Sequence, residues 1–358
     1  YKRYRMYYLN KNLVDLVRIF DQNERKDYLR LDLNENHGGL PQEFINEVLK
    51  DVDSRFVSEY PETLEFSQKL AKYLGTEISK ICLTNGSSEA IRQVIEAFTS
   101  ENGKIVGVTP SYFMFQIYAQ MYCRQFIPVE YTEDLQMPVE NIISKLTDDV
   151  QLLILLNPNN PMGNTYTDEE FAQIIKVADE KQITVLVDEA YNGFYSKSFI
   201  NYALTRDHIF VTRTFSKLFS LAGCRLGYVV GWADGIKMVQ KLSTPHNTNA
   251  FAMAFAQKII ETDGMIDKLI NLHKEGKDYL IKSLEDNDYT VNAKEGNFIF
   301  IKPRVKDADE IVKLMKEKYK ILIKSYSGIG SLGKALRVTT GEKKYMQQFF
   351  DALISIDK

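Results

Sequence analysis

Residues 75–235 alternate between short runs that are apolar throughout and longer segments whose apolar residues recur at helical spacing. Ile81-Cys82-Leu83 leads into a helical pattern over 88–99, and Lys104-Ile105-Val106-Gly107-Val108 into an aromatic one after Ser111. Leu152-Leu153-Ile154-Leu155-Leu156 precedes a loop and a helical pattern over 168–181. Ile183-Thr184-Val185-Leu186-Val187 ends at Asp188, and Ile209-Phe210-Val211 ends near Arg213. A strand with one wet face alternates apolar and polar residues, whereas one apolar on both faces must be covered on both. The pattern predicts an α/β fold with a mostly parallel central sheet between helical layers. In such folds the chemistry gathers in loops at the carboxyl ends of the strands.

Beyond residue 250 the texture changes. Helical spacing over 250–261 and 266–286 is followed by Thr290-Val291, Phe298-Ile299-Phe300-Ile301, a helical pattern near 307–319, and Leu336-Arg337-Val338. This mixed order predicts a smaller α+β domain. The expected division is a large domain over 36–245 and a small one from 1–35 and 246–358, joined by a long helix. At 44% hydrophobic and 26% charged, the 358 residues have ample material for packed cores. The 48 acidic residues nearly balance the 45 basic ones, and a net charge of −3 argues against a nucleic-acid partner. Cys82, Cys123 and Cys224 are scattered, with neither metal-ligand spacing nor the even count of a disulfide framework, so no metal is expected. No apolar run approaches the length of a membrane span, and the basic, aromatic start lacks the apolar core of a signal peptide. A cytoplasmic protein without a membrane partner is the expectation.

Four loops carry the residues of interest. A lone lysine is ordinarily a solvated surface residue. Lys217, however, follows an apolar strand, lies among Thr214, Ser216 and Ser220, and precedes Arg225. Two hydroxyls and a guanidinium suit a phosphate dianion. A lysine beside them can form a Schiff base with a phosphorylated aldehyde, which is pyridoxal phosphate chemistry. In Val187-Asp188-Glu189-Ala190-Tyr191, Asp188 is placed to keep a pyridine nitrogen protonated, and Tyr191 to hydrogen-bond a phenolic oxygen, although an aspartate after a strand is commonly a helix cap. In Asn157-Pro158-Asn159-Asn160-Pro161-Met162-Gly163, otherwise a plain turn, Asn160 can donate to the same oxygen. Thr84-Asn85-Gly86-Ser87-Ser88 reads as a strand-to-helix turn whose N–H groups suit a phosphate, and Tyr112 offers a flat face to a ring.

Taken in this order, the elements resemble the fold-type-I pyridoxal phosphate enzymes, and among them the class I and II aminotransferases of the histidinol-phosphate aminotransferase group. The resemblance runs from Leu31-Asp32-Leu33-Asn34-Glu35-Asn36 to Leu336-Arg337-Val338-Thr339-Thr340-Gly341, nearly the whole chain. It implies that Lys217 carries the cofactor as an aldimine and then shuttles a proton between the substrate Cα and the cofactor C4′. It implies that Asp188 pairs with the pyridinium nitrogen, that Asn160 and Tyr191 hold the phenolic oxygen, and that Tyr112 stacks on the ring. The phosphate falls to the backbone around Ser87 and Ser88, to Thr214 and Ser216, and to Arg225. Tyr60 matches a tyrosine that reaches the neighbouring subunit's phosphate, which implies a homodimer with shared active sites. Arg337 matches the arginine that grips the substrate α-carboxylate, and Asn36 is carried over as a further substrate contact.

Two positions depart from the family pattern. Met162 stands where the loop usually has threonine, a local change. Lys324 stands thirteen residues before Arg337, where the group usually has an arginine for the substrate phosphate. It keeps the charge and loses the fork, which leaves a phosphorylated substrate in play and puts histidinol phosphate itself in question. The implied activity is transfer of an amino group from glutamate to a small keto or aldehyde acceptor by a ping-pong mechanism. Decarboxylation of an O-phospho-amino acid on the same scaffold is the alternative. Some transcription regulators also carry this fold, but they need an added DNA-binding segment, for which the residues before Leu31 are expected to leave no room.

Overall fold

The computed structural model describes residues 10–14, 16, 17, 25–132 and 134–358. Its strands are β1 (Leu29–Arg30), β2 (Ile81–Thr84), β3 (Lys104–Thr109), β4 (Gln125–Glu130), β5 (Val150–Leu156), β6 (Thr184–Asp188), β7 (Ile209–Thr214), β8 (Gly227–Val230), β9 (Thr290–Asn292), β10 (Phe298–Lys302), β11 (Ile321–Leu322), β12 (Lys324–Tyr326) and β13 (Ala335–Thr339). Seven of them form one sheet in the order β2-β8-β7-β6-β5-β3-β4. The run from β7 to β4 is parallel, and β8 lies antiparallel to both of its neighbours. The expected mostly parallel α/β architecture is what the chain adopts.

The apolar runs are explained by what covers them. Leu153 and Leu155 of β5 face a cluster with Val185, Val187, Phe171 and Ile174, the last two from the helix Asp168–Glu180. Leu152, Ile154 and Leu156 face the opposite cluster, with Ile91 and Val94 from the helix Ser87–Phe98. Each such side chain contributes about 1.5–3 kcal/mol when fully buried, so both faces of the strand are held. The helix Asp168–Glu180 starts with a reciprocal cap, Thr167 accepting from Glu170 N and Glu170 accepting from Thr167 N.

Two strands of this seven-stranded sheet escape the sequence reading for physical reasons. β4 is the sheet's edge and carries Pro128, which an interior strand does not tolerate. β8 is only four residues long and begins at Gly227, too short to show a period.

A second sheet, β12-β13-β10-β9, is antiparallel throughout, and β1 pairs in parallel with β11. The 21-residue helix Met265–Glu285 spans two cores: Met265 and Leu269 pack with Phe215 and Leu226, whereas Leu280 and Leu284 pack with Ile299, Leu336 and Phe349. The helix expected near 307–319 is α-helical over Ala308–Leu314 and finishes as a π-turn over Met315–Tyr319. Among the described residues, no helix is long and apolar enough to cross a membrane. Within the expected small domain, residues 1–9, 15 and 18–24 lie outside the described residues.

Candidate active site

A cavity of about 590 Å³ opens at the carboxyl ends of β5, β6 and β7. Ser87, Ser88, Tyr112, Asn160, Asp188, Tyr191, Thr214, Ser216, Lys217, Arg225, Lys324 and Arg337 all line it. Residues scattered over two thirds of the sequence thus converge on one space.

One end of the cavity is built for an anion. The helix Ser87–Phe98 begins after Gly86 with no side-chain cap on its first N–H groups, and a helix N-terminus carries partial positive charge. Gly86 has φ +74, and a Cβ there would lie 2.6 Å from Arg225 Nη2. A Cβ on Gly227 would lie 2.5 Å from Ser87 N, so both glycines let the guanidinium, the helix start and β8 close up. Arg225 Nη1 donates to Ser216 Oγ at 3.2 Å and to Ala222 O at 3.1 Å. Thr214 Oγ1 donates to Ser216 Oγ at 2.9 Å and accepts from Ser216 N at 3.1 Å. Ser88 Oγ and Tyr112 Oη are 3.2 Å apart at the cavity wall.

The other end holds a carboxylate that lacks a cation. Asp188 is 2% exposed, and Thr212 Oγ1, from the register partner on β7, donates to its Oδ1 at 3.0 Å. Burial pushes its pKa up to about 7, against the lowering by Thr212, the Ala190 N–H and Lys217. Among the described residues it forms no ion pair. The adjacent Glu189 points elsewhere: its carboxylate takes Arg213 at 2.8 Å, both contacts from Ser198 Oγ, and Phe199 N at 2.6 Å. Lys217 Nζ donates to Leu33 O at 2.8 Å. Burial, together with Arg337 and Arg225, lowers its pKa to about 8 against the opposing pull of Glu35 and Asp188.

One wall of the cavity comes from the second sheet. Arg337 on β13 is 3% exposed, and its Nη1 donates to Asn160 Oδ1 at 2.9 Å while Nη2 donates to Asp32 O at 2.5 Å. Its guanidinium carbon lies 5.2 Å from the Tyr326 ring centroid and 5.9 Å from that of Phe298. The oxygen of the Asn160 amide is therefore committed, and its NH₂ is the end left for the cavity. Lys324 on β12 is the cross-strand partner of Arg337, which sets two cationic side chains on one wall.

Two expected site residues lie outside this cavity. Asn36 does not line it; its amide donates to Ser220 Oγ at 2.7 Å and its oxygen accepts from Gly38 N, joining its loop to the one after Lys217. Tyr60 is 78% exposed, stacks on His246 at 4.3 Å, and lines a separate groove between the helices Ser54–Ser58 and Ala250–Glu261. The sequence reading also missed Asn34, which donates to Tyr191 Oη at 2.9 Å. It lies within the quoted segment Leu31–Asn36, but no periodicity singles it out, and only the tertiary contact does.

A buried carboxylate with no ion pair among the described residues, an anion cradle that two glycines allow to close up, and an amine with lowered pKa match the pyridinium, phosphate and aldehyde of pyridoxal phosphate in number and chemistry. Fold and site together define a pyridoxal phosphate-dependent enzyme. The particular family follows from the sequence: residues 26–353 match the aminotransferase class I and II family, and the chain belongs to it. It is a pyridoxal phosphate-dependent aminotransferase of fold type I. It is 32% identical over 315 residues to the histidinol-phosphate aminotransferase of Thermoanaerobacter pseudethanolicus, covering 87% of this chain and 88% of that protein. The solved histidinol-phosphate aminotransferase of Sinorhizobium meliloti, in complex with pyridoxal 5′-phosphate, superposes with a TM-score of 0.86 at 20% identity over 97% of each chain. The L-threonine-O-3-phosphate decarboxylase of Porphyromonas gingivalis shares the fold at a TM-score of 0.76 and 22% identity, over 91% of this chain and 98% of that one.

Proposed function

We propose that this aminotransferase moves an amino group from L-glutamate to a small phosphorylated keto or aldehyde acceptor by a ping-pong mechanism. Pyridoxal phosphate, when bound, supplies the electron sink that makes the substrate Cα–H acidic. In this reading Lys217 Nζ would hold the aldehyde carbon of the cofactor at rest and, once displaced by the substrate amine, would be the base that carries a proton from the substrate Cα. Asp188 would hold the proton on the ring nitrogen, because a buried carboxylate gains most when a cation is set beside it. Tyr191 and the Asn160 NH₂ hold the phenolic oxygen, and Tyr112 covers the ring. Ser87, Ser88, Thr214, Ser216 and Arg225 hold the phosphate. Arg337 takes the α-carboxylate with a guanidinium already fixed by Asn160 and Asp32.

The observation that carries the acceptor is the cross-strand pair Lys324–Arg337 on the wall of the cavity that also contains Lys217 and Asp188. Two cations there suit a substrate with an anionic group beyond the reacting carbon. The histidinol-phosphate aminotransferase relative supports a phosphate as that group. Because Lys324 offers a point charge and no fork, it would hold that phosphate by charge rather than by a bidentate pair of hydrogen bonds. A charge-assisted hydrogen bond of this kind contributes about 1.5–3 kcal/mol. Lys324→Ala should therefore lower kcat/KM for the phosphorylated acceptor by roughly 10- to 150-fold. The glutamate half-reaction, whose γ-carboxylate carries one charge where a phosphate carries two, should change less. Equal losses in both half-reactions would refute a phosphate-selective role for Lys324.

The same pair of cations also favours a second reading, because an O-phospho-amino acid carries a carboxylate and a phosphate together. Release of carbon dioxide from such a substrate, without amino transfer from glutamate, would select decarboxylation. We further propose a homodimer in which Tyr60 reaches the partner's phosphate cradle. The division into a large domain over 36–245 and a small one from 1–35 and 246–358, and a cytoplasmic location, complete the proposal.

A further inference from the structure

The phenolic oxygen of Tyr191 has one proton and two lone pairs, so the group that donates to it restricts where its own proton can go. Asn34 Nδ2 donates to that oxygen at 2.9 Å. Asn34 is 1% exposed and Tyr191 3%, which leaves little access for a competing solvent molecule.

The direction of the Asn34 amide is decided by Thr339. Thr339 Oγ1 accepts from Asn34 N at 3.0 Å and lies 3.1 Å from Asn34 Oδ1. One lone pair of that hydroxyl takes the backbone N–H, and its proton is given to Asn34 Oδ1. Oδ1 is therefore an acceptor, and the end that faces Tyr191 is the donor. The backbone is fixed as well: Asn34 has φ +57, a conformation asparagine adopts more readily than most residues, and Asn297 Nδ2 donates to Asn34 O at 3.1 Å. The next residue back, Leu33, accepts from Lys217 Nζ. One short segment thus touches both the lysine and the tyrosine of the site.

We propose that Asn34, oriented by Thr339, is a positioning residue that makes the Tyr191 hydroxyl a donor into the cavity, toward the phenolic oxygen of the bound cofactor. This rests on the reading of Tyr191 as the partner of that oxygen. Burial keeps the Tyr191 phenol protonated far above neutral pH, so a proton is there to donate. A donor to the phenolic oxygen stabilises its anionic form. It thereby favours loss of the proton shared between Lys217 and the cofactor, and lowers the pH at which the cofactor's absorption changes. Asn34→Asp reverses the polarity: an ionised carboxylate only accepts, so it draws the Tyr191 proton away from the cavity.

The test is a pH titration of the cofactor absorption band in the holoenzyme, with apoenzyme melting measured alongside. Tyr191→Phe should raise the spectral midpoint by about 1–2 pH units, the scale of one charge-assisted hydrogen bond. Asn34→Asp should raise it by at least half as much. The double variant Asn34→Asp/Tyr191→Phe should match Tyr191→Phe alone, because the asparagine acts through the tyrosine. Thr339→Val, which frees the amide to turn, should move the midpoint the same way, and Thr339→Ser should restore it. If Asn34→Asp fails to fold, the Thr339 pair carries the same test. A midpoint that moves in Tyr191→Phe and stays in place in both Asn34→Asp and Thr339→Val would overturn the inference, leaving Asn34 a packing residue. A midpoint unmoved in Tyr191→Phe would overturn the reading of Tyr191 itself, and the inference with it.

Discussion

Two adjacent carboxylates at the end of β6 have opposite duties, and Glu189→Ala separates them. Glu189 has a side chain 1% exposed and binds Arg213, itself 10% exposed, with contacts of 2.9 Å to Nε and 2.8 Å to Nη2. It also accepts from Ser198 Oγ and, at 2.6 Å, from Phe199 N. Truncation leaves a buried guanidinium without its carboxylate, a loss of about 3–5 kcal/mol in comparable pairs. That is a large fraction of a total stability of about 5–15 kcal/mol. At about 2 °C per kcal/mol for a large chain, apoenzyme melting should fall by roughly 6–10 °C. Cofactor affinity and the cofactor's absorption spectrum, measured well below the new melting temperature, should stay near those of the parent. A fall of less than about 2 °C, combined with weakened cofactor binding, would refute the reasoning and make Glu189 the partner of the ring nitrogen.

Asp188→Asn should do the reverse, lowering kcat at least ~100-fold, about 2.7 kcal/mol in barrier, and retention of most activity would contradict its role. Because the folded-state pKa of Asp188 is raised to about 7, its stabilising contribution is complete only below the ordinary carboxylate pKa and is lost as pH rises through 7. The apoenzyme of Asp188→Asn should accordingly melt no lower than the parent at pH 8. With its pKa near 8, Lys217 has roughly 10% neutral amine at pH 7, about 300-fold more than a lysine at 10.5. Covalent capture of pyridoxal phosphate by the apoenzyme should therefore rise through pH 8 and level off, whereas a rise continuing to pH 10 would show an unperturbed lysine. Sedimentation of the holoenzyme at micromolar concentration should give a dimer, and a fully active monomer would remove Tyr60 from the site.

What the sequence disclosed depended on how local the cause was. β5 was legible because burial on both faces writes an unbroken apolar run, and the loops after it and after β6 were legible because their chemistry lies in contiguous motifs. Asp188 was named for the ring nitrogen by its place in the motif, but that Arg213 and Ser198 occupy the adjacent Glu189 is visible only in the fold. Asn36 was named as a substrate contact and Asn34 was not, yet two positions apart it is Asn34 that reaches Tyr191 and Asn36 that reaches Ser220. β12 was invisible as a strand, because three half-buried residues have no period, yet its pairing with β13 is what sets Lys324 beside Arg337. The change at Met162 is local in the chain but not in space, because its side chain packs with Phe300 of β10 and with Ile329 and Leu332 from the turn between β12 and β13.

The central claim is amino transfer between glutamate and a phosphorylated acceptor at Lys217, and a two-stage single-turnover experiment on the holoenzyme tests it most directly. Addition of L-glutamate should release one equivalent of 2-oxoglutarate per site and leave the cofactor as pyridoxamine phosphate. A phosphorylated keto or aldehyde acceptor should then restore the original spectrum faster than its dephosphorylated counterpart. An unchanged cofactor with glutamate, or carbon dioxide released from an O-phospho-amino acid in its place, would contradict the account.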